Sequence, residues 1–155
     1  MCPDPDVFKQ EYECIFSDVY GQMIDINLLD YYNNDIKSQD GIFFSADIGR
    51  THDKTSIVIS KVIKDNIYID DIITLNKCEY QKQLDIFKNL NEKYKFNSGY
   101  IDQGGIGSAV AEFTNKNISS KIKGFNFTSA NKTPAYENVR DKIFQRKLHF
   151  NIKFK

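Results

Sequence analysis

The sequence predicts one mixed α/β domain, with three antiparallel strands followed by alternating helices and strands. Three observations carry this reading. Apolar, β-branched segments separated by short polar turns begin at Gly41. Apolar residues then recur at helical spacing over residues 79–94. After them comes a short strand, a glycine-rich turn and a helix-forming stretch. Strands that give way to helix–strand alternation point to a sheet that is partly antiparallel and partly parallel.

Each element has its own signal. Residues 41–47 (GIFFSAD) form an apolar run that ends in an acid. Residues 55–63 (TSIVISKVI) and 67–75 (IYIDDIITL) flank the polar turn Lys64-Asp65-Asn66 and read as a hairpin. Tyr80, Leu84, Phe87, Leu90 and Tyr94 predict an amphipathic helix over 79–94. Residues 98–102 (SGYID) read as a short buried strand, Gly104 to Gly107 as a tight loop, and 108–116 as a helix. Residues 121–127 read as a strand. Pro134 marks a helix entrance for 134–146, because proline suits the first helical position. Residues 148–154 (LHFNIKF) alternate and read as a final strand. Residues 1–40 lack a clean period and read as a linker arm, with Phe8, Tyr12, Ile15 and Phe16 on one face of a short helix.

Composition narrows the chemistry. The chain has 155 residues, 41% hydrophobic and 27% charged, which suits one globular domain able to bury a core. No segment approaches the ~20 apolar residues of a membrane helix. The first ten residues carry acids and prolines where a secretion signal needs basic and then apolar residues. A cytoplasmic location follows as the expectation. Cys2, Cys14 and Cys78 are scattered, and His52 and His149 lie far apart, which argues against disulfide frameworks and structural zinc. Any metal would then be held by oxygen ligands, which favours magnesium or manganese. The net charge is zero but unevenly spread: residues 1–40 hold nine acids, and residues 140–155 are basic apart from Asp141. The basic stretch suits phosphate contact or a solvated surface.

The chemistry-bearing candidates are Asp47 and Asp102. Each ends an apolar strand and is closely followed by glycine, in Asp47-Ile-Gly49 and Asp102-Gln-Gly104. A carboxylate at the tip of a buried strand is costly unless solvated, paired or metal-bound. If the two strands are neighbours, the carboxylates meet, and a divalent cation removes their repulsion. Magnesium is commonly bound by one or two carboxylates together with phosphate oxygens. A pair of such ions about 3.5–4 Å apart serves phosphodiester hydrolysis. Aspartate after a strand is equally at home as a turn or helix-cap residue.

A family resemblance bears on these alternatives. Residues 43–59 (FFSADIGRTHDKTSIVI) resemble the opening hairpin of phage terminase large-subunit nuclease domains, which have a ribonuclease H-like fold. Residues 100–113 (YIDQGGIGSAVAEF) resemble that family's second acidic motif, and residues 124–150 its later strand, Asn-Lys stretch and helix. Residues 4–18, around Gln10-Glu11-Tyr12, resemble the segment joining the family's ATPase motor to its nuclease. The resemblance implies that Asp47 and Asp102 are catalytic metal carboxylates in a two-metal site of Mg²⁺ or Mn²⁺. It gives Asp53 a supporting metal contact, against the plain reading of a turn aspartate. Double-stranded DNA is the implied substrate, contacted by Lys132, Arg140, Arg146 and Lys147. A terminase small subunit, a portal and an ATPase motor domain on the same chain are the implied partners.

One departure stands out. The family completes its site with a third acid beyond the last strand, and this chain reaches Lys155 before that region. Residues 41–155 therefore read as a nuclease core incomplete at its C-terminus. An inactive DNA- or partner-binding remnant of a prophage terminase is the alternative. Asp141 sits among Arg140, Lys142, Arg146 and Lys147 and reads as an ion-pair residue. No GxxxxGK[ST] loop is present, so the chain is not itself the packaging ATPase. Asp47-Ile-Gly49-Arg50-Thr51 also resembles a phosphate loop of actin-like ATPases, but those need a second domain. Gly104 to Gly107 does not match the dinucleotide fingerprint GxGxxG.

Overall fold

The computed structural model describes residues 26–37, 40–49 and 53–155. The short helix expected around Phe8 to Phe16, the Gln10-Glu11-Tyr12 segment and Arg50-Thr51 lie outside the described residues.

Seven strands form one sheet. They are β1 (Asp30–Tyr32), β2 (Gly41–Asp47), β3 (Lys54–Ile63), β4 (Asn66–Asn76), β5 (Ser98–Asp102), β6 (Ile122–Phe125) and β7 (Leu148–Asn151). The helices are α1 (Tyr80–Tyr94), α2 (Gly107–Asn117) and α3 (Ser129–Phe144). The spatial strand order is β1-β7-β4-β3-β2-β5-β6. Strands β2, β3 and β4 pair antiparallel, and β5, β6, β7 and β1 join in parallel. This is the mixed sheet expected from the sequence, with three antiparallel strands first and helix–strand alternation after.

The two faces of the sheet differ because side chains alternate along a strand. In β2, Phe44 and Ala46 are buried while Ser45 and Asp47 are exposed. In β3, Ile57 and Ile59 are buried. Helix α1 adds Leu84 and Phe87, and α2 adds Val110 and Ala111, to the same apolar cluster. Phe44 meets Phe87 edge-to-face and lies beside Phe96, each at 5.2 Å between ring centroids. The opposite face, carrying Ser45 and Asp47, is left to α3.

Three differences from the sequence reading are the largest. Helix α3 begins at Ser129 rather than at Pro134. The Thr128 amide donates to Asn131 Oδ1 at 2.8 Å, so a cap forms one turn earlier and Pro134 falls in the second turn. The final strand stops at Asn151, and Ile152–Phe154 is a 3₁₀ turn. There the Asn151 side chain accepts from the Lys153 amide and caps the turn. Asp30–Tyr32, within the span read as an arm, adds an edge strand alongside β7.

That edge is fastened by polar contacts. The Tyr32 hydroxyl donates to Ile69 O at 3.2 Å and Asp70 Oδ1 at 3.3 Å, and Lys61 pairs with Asp70 at 3.0 Å. Burial, reinforced by the Asp70 charge, pushes the Tyr32 hydroxyl pKa up to about 12. At the β3–β4 turn, Asp65 accepts from Lys142 at 2.6 Å and from Lys147, joining the hairpin to the end of α3 and the start of β7. These hydrogen bonds, Lys142 first, hold the Asp65 carboxyl down at about 2.

Two outcomes test this architecture. Phe87→Ala removes a fully buried ring and lowers unfolding stability in urea by about 3–5 kcal/mol. For Asp65, the folded pKa lies below the unfolded value. Its contribution is therefore present above about pH 4 and is lost as pH falls through about 2. Melting temperatures of wild type and Asp65→Asn differ at pH 6 and converge toward pH 2, and a gap that does not narrow contradicts the clamp.

Candidate metal and nucleic-acid site

The site is built from the register of two parallel strands. Strand β2 runs beside β5 with Phe43 opposite Ser98 and Ala46 opposite Ile101. One step further along both strands come Asp47 and Asp102. Neighbouring strands lie ~4.8 Å apart, so the two aspartates end their strands side by side. Both alternate out of the core: Ala46 and Ile101 are buried, and Asp47 and Asp102 belong to the other face.

Two glycines fix the backbone around them. A Cβ on Gly49 would lie 2.5 Å from the backbone of Lys54, so the chain leaving Asp47 passes too tightly against the start of β3 for any side chain. The Gly49 amide donates to Thr55 Oγ1 at 2.9 Å, Thr55 donates to Gln83 Oε1 at 3.1 Å, and Gln83 donates to Cys78 O at 2.8 Å. Thr55 and Gln83 are buried, which makes this chain of bonds costly to break. A Cβ on Gly107 would sit 1.8 Å from the carbonyl oxygen of Asp102. Helix α2 thus starts directly against the end of β5. The Gly104 amide donates to Asp102 Oδ1 at 3.0 Å, which orients that carboxylate.

The carboxylates open into a cleft of about 560 Å³ between the sheet and α3. Ser45, Asp47, Ser56, Tyr100, Asp102 and Lys132 line it, together with aromatic residues of β6 and α3. Lys132, singled out from the sequence, reaches the same cleft as the two aspartates. Asp53 does not line it; it is exposed at the turn before β3, with its backbone against Gly49. Arg140, Arg146 and Lys147 also lie outside the cleft lining. Arg146 pairs with Asp30 at 2.7 Å, Lys147 pairs with Asp65, and Arg140 lies 3.8 Å from Asp141, so each meets a carboxylate of this chain. The sequence reading missed Tyr100, Ser56 and the α3 aromatic Tyr136. For Tyr100 the signal was available, since it precedes Asp102 by two residues on one strand face.

Among the described residues, no group of three or more His, Cys, Asp or Glu side chains gathers as a metal cluster. The two aspartates supply hard oxygen donors, and one or two carboxylates completed by water and phosphate oxygens suit magnesium or manganese. The oxygen donors of Asp47 and Asp102 therefore fit the chemistry of such an ion.

A mixed sheet of this order with paired carboxylates at neighbouring strand ends defines the ribonuclease H-like class. The family described as the terminase RNaseH-like domain matches residues 44–152, and the chain belongs to that family. The fold is shared with solved structures. The large terminase of thermophilic bacteriophage D6E aligns with a TM-score of 0.64 at 16% identity, over 84% of this chain and 33% of that one. The large terminase nuclease of thermophilic phage G20c, with bound magnesium, aligns at 0.65 and 17%, over 81% and 70%. The g2p nuclease domain of bacteriophage SPP1, with bound manganese, aligns at 0.62 and 14%, over 83% and 73%. The chain thus spans about a third of the D6E protein's length. No curated protein sequence matches this chain. Among the described residues, no helix is long and apolar enough to cross a membrane.

The glycine contact yields a test with a binding readout. A ligand that binds only the folded state raises the melting temperature, by about 2.7 kcal/mol of stability at a hundred times its Kd. Manganese is expected to raise the melting temperature of the wild type and to lose this effect in Asp102→Asn. Gly107→Ala, which forces the Asp102 carbonyl aside, costs about 1–3 kcal/mol and weakens the manganese shift as well. An undiminished shift in both variants removes Asp102 from the metal site.

Proposed function

We propose that this chain is the nuclease part of a phage DNA-packaging terminase and cuts double-stranded, concatemeric viral DNA in a divalent-metal-dependent reaction. The observation that carries the reading is the in-register placement of Asp47 and Asp102 at the ends of β2 and β5, open to one cleft. Family membership and the magnesium- and manganese-bound structures of similar fold support it.

Asp47 and Asp102 would hold Mg²⁺ or Mn²⁺, as a pair of ions in the full form of the proposal. When bound, such ions would supply charge stabilisation at the phosphate and ease the loss of a proton from the attacking water. The residues of the chain do the rest. Gly104 holds Asp102 in one orientation, and the Thr55–Gln83 bonds hold the turn after Asp47. Lys132 presents a positive charge across the cleft from the two carboxylates and contacts a DNA phosphate. Asp53 is proposed as an outlying support to the metal through water. Arg140, Arg146 and Lys147 are proposed as phosphate contacts beyond the cleft. Their present ion pairs are exposed and weak enough to exchange for DNA. A small subunit, a portal and an ATPase motor on the same chain are the proposed partners, and the cytoplasm of an infected bacterium is the proposed setting.

The decisive experiment is plasmid nicking by the 155-residue chain with manganese, magnesium or chelator. Metal-dependent nicking is expected in the wild type, with none detectable in Asp47→Asn of unchanged melting temperature. A folded Asp47→Asn that nicks as fast as wild type overturns the assignment. A folded wild type that binds manganese and DNA but never cuts favours the inactive, DNA-binding reading.

A further inference from the structure

The cleft is more aromatic than a phosphate-binding groove requires. Tyr100 stands two residues before Asp102 on the same face of β5, ~6.6 Å back along the strand. Phe125 and Phe127 continue the wall: Tyr100 meets Phe125 at 5.7 Å and Phe125 meets Phe127 at 4.9 Å, both edge-to-face. Tyr136 closes the wall from α3, and Lys132 Nζ lies 5.9 Å from the centre of its ring. Tyr100, Phe127 and Tyr136 are 49%, 47% and 45% exposed, although each is large and apolar over most of its surface.

Resting on the nuclease reading, we propose that this wall is a stacking platform for one unpaired DNA base, so that duplex DNA is cut where a base is locally unpaired and single strands bind the cleft more tightly than intact duplex. Three features agree. Tyr100 and Asp102 stand two residues apart on one strand face and line the same cleft, so a nucleotide with its phosphate at the carboxylates can turn its base toward the ring. The cleft is of a size to take a nucleotide, whereas the bases of an intact duplex remain stacked on each other and turn no free face to the wall. Among the described residues of the lining, Lys132 is the one cation beside four aromatic rings, so ring stacking is a ready source of affinity there. Stacking of this kind tolerates any base, because every base has a π-face.

The test is made in chelator, so that cutting plays no part. A 15-nucleotide strand carrying 2-aminopurine is titrated with the wild type, and binding of the same strand in duplex form is measured in parallel. The expected result is quenching of the 2-aminopurine, with single-stranded DNA bound about tenfold more tightly than duplex. Tyr136→Leu and Tyr100→Leu each lose about tenfold on the single strand and lose the quenching, duplex binding is unchanged, and Tyr136→Phe behaves as wild type. Equal affinity for both forms, or unchanged quenching in folded Tyr100→Leu and Tyr136→Leu, overturns the platform. So does a dimer that dissociates in Tyr136→Leu without any quenching in the wild type, since the rings then belong to a second copy. Quenching is read in chelator and nicking with metal, so failure of the nuclease reading is seen separately in the nicking assay.

Discussion

Everything at the candidate site depends on one backbone constraint, the parallel pairing of β2 with β5 in a register that ends both strands at the same level. A shift of one residue would turn either aspartate toward the core, where Ala46 and Ile101 now sit. The register is held from both sides. On the core face, Phe44 packs over Gly99, where a Cβ would lie 2.9 Å from the Phe44 carbonyl oxygen. At the strand ends, Gly107 brings the start of α2 against Asp102. The apolar core therefore does more than stabilise the sheet. It determines which residues are left to face the cleft.

The distribution of charge follows a related logic. Asp65, Asp30 and Asp71 engage Lys142, Lys147, Arg146 and Lys153, tying the β3–β4 turn, β1 and β4 to the C-terminal end of the fold. A neutral sequence thus conceals internal pairing. The basic stretch that reads as a DNA surface also acts as the fastening between distant parts of the chain. Exposed pairs of this sort contribute little singly, but they fix which cations are shared and which are open. Lys132 belongs to the second group, since its nearest aromatic partner is Tyr136 and it makes no ion pair among the described residues.

Legibility in the sequence followed the physics of each feature. The three antiparallel strands and helix α1 were readable because burial on one face imposes a period of two or 3.6 on the residue pattern. Asp47 and Asp102 were readable because an acid ending an apolar strand is an energetic anomaly. Helix α3 was misplaced at its start, because Pro134 resembles an entrance residue while the Thr128–Asn131 cap lies one turn earlier. The 3₁₀ turn after β7 was hidden in an alternating pattern that suits a strand equally well. The aromatic wall was out of reach because Phe125 and Tyr136 lie on different elements, and local pattern says nothing about which faces meet. The same holds for Arg146 and Lys147, whose partners are 116 and 82 residues away in the chain.

The balance of charge in the cleft couples its two proposed ligands. Among the described residues, two carboxylates face it, with Lys132 as the cation of the lining. A DNA phosphate entering alone would add a third negative charge to this group. A bound divalent ion reverses the sign of the site before DNA arrives, so the phosphate then meets attraction instead of repulsion. The coupling is reciprocal: DNA already in the cleft would raise the affinity of the metal by the same factor. On this argument the ion is a condition of binding at the carboxylates as well as of cutting. The stacking wall, which carries no charge, can hold a base in the absence of metal, and the two halves of the cleft thereby separate substrate capture from commitment to the reaction.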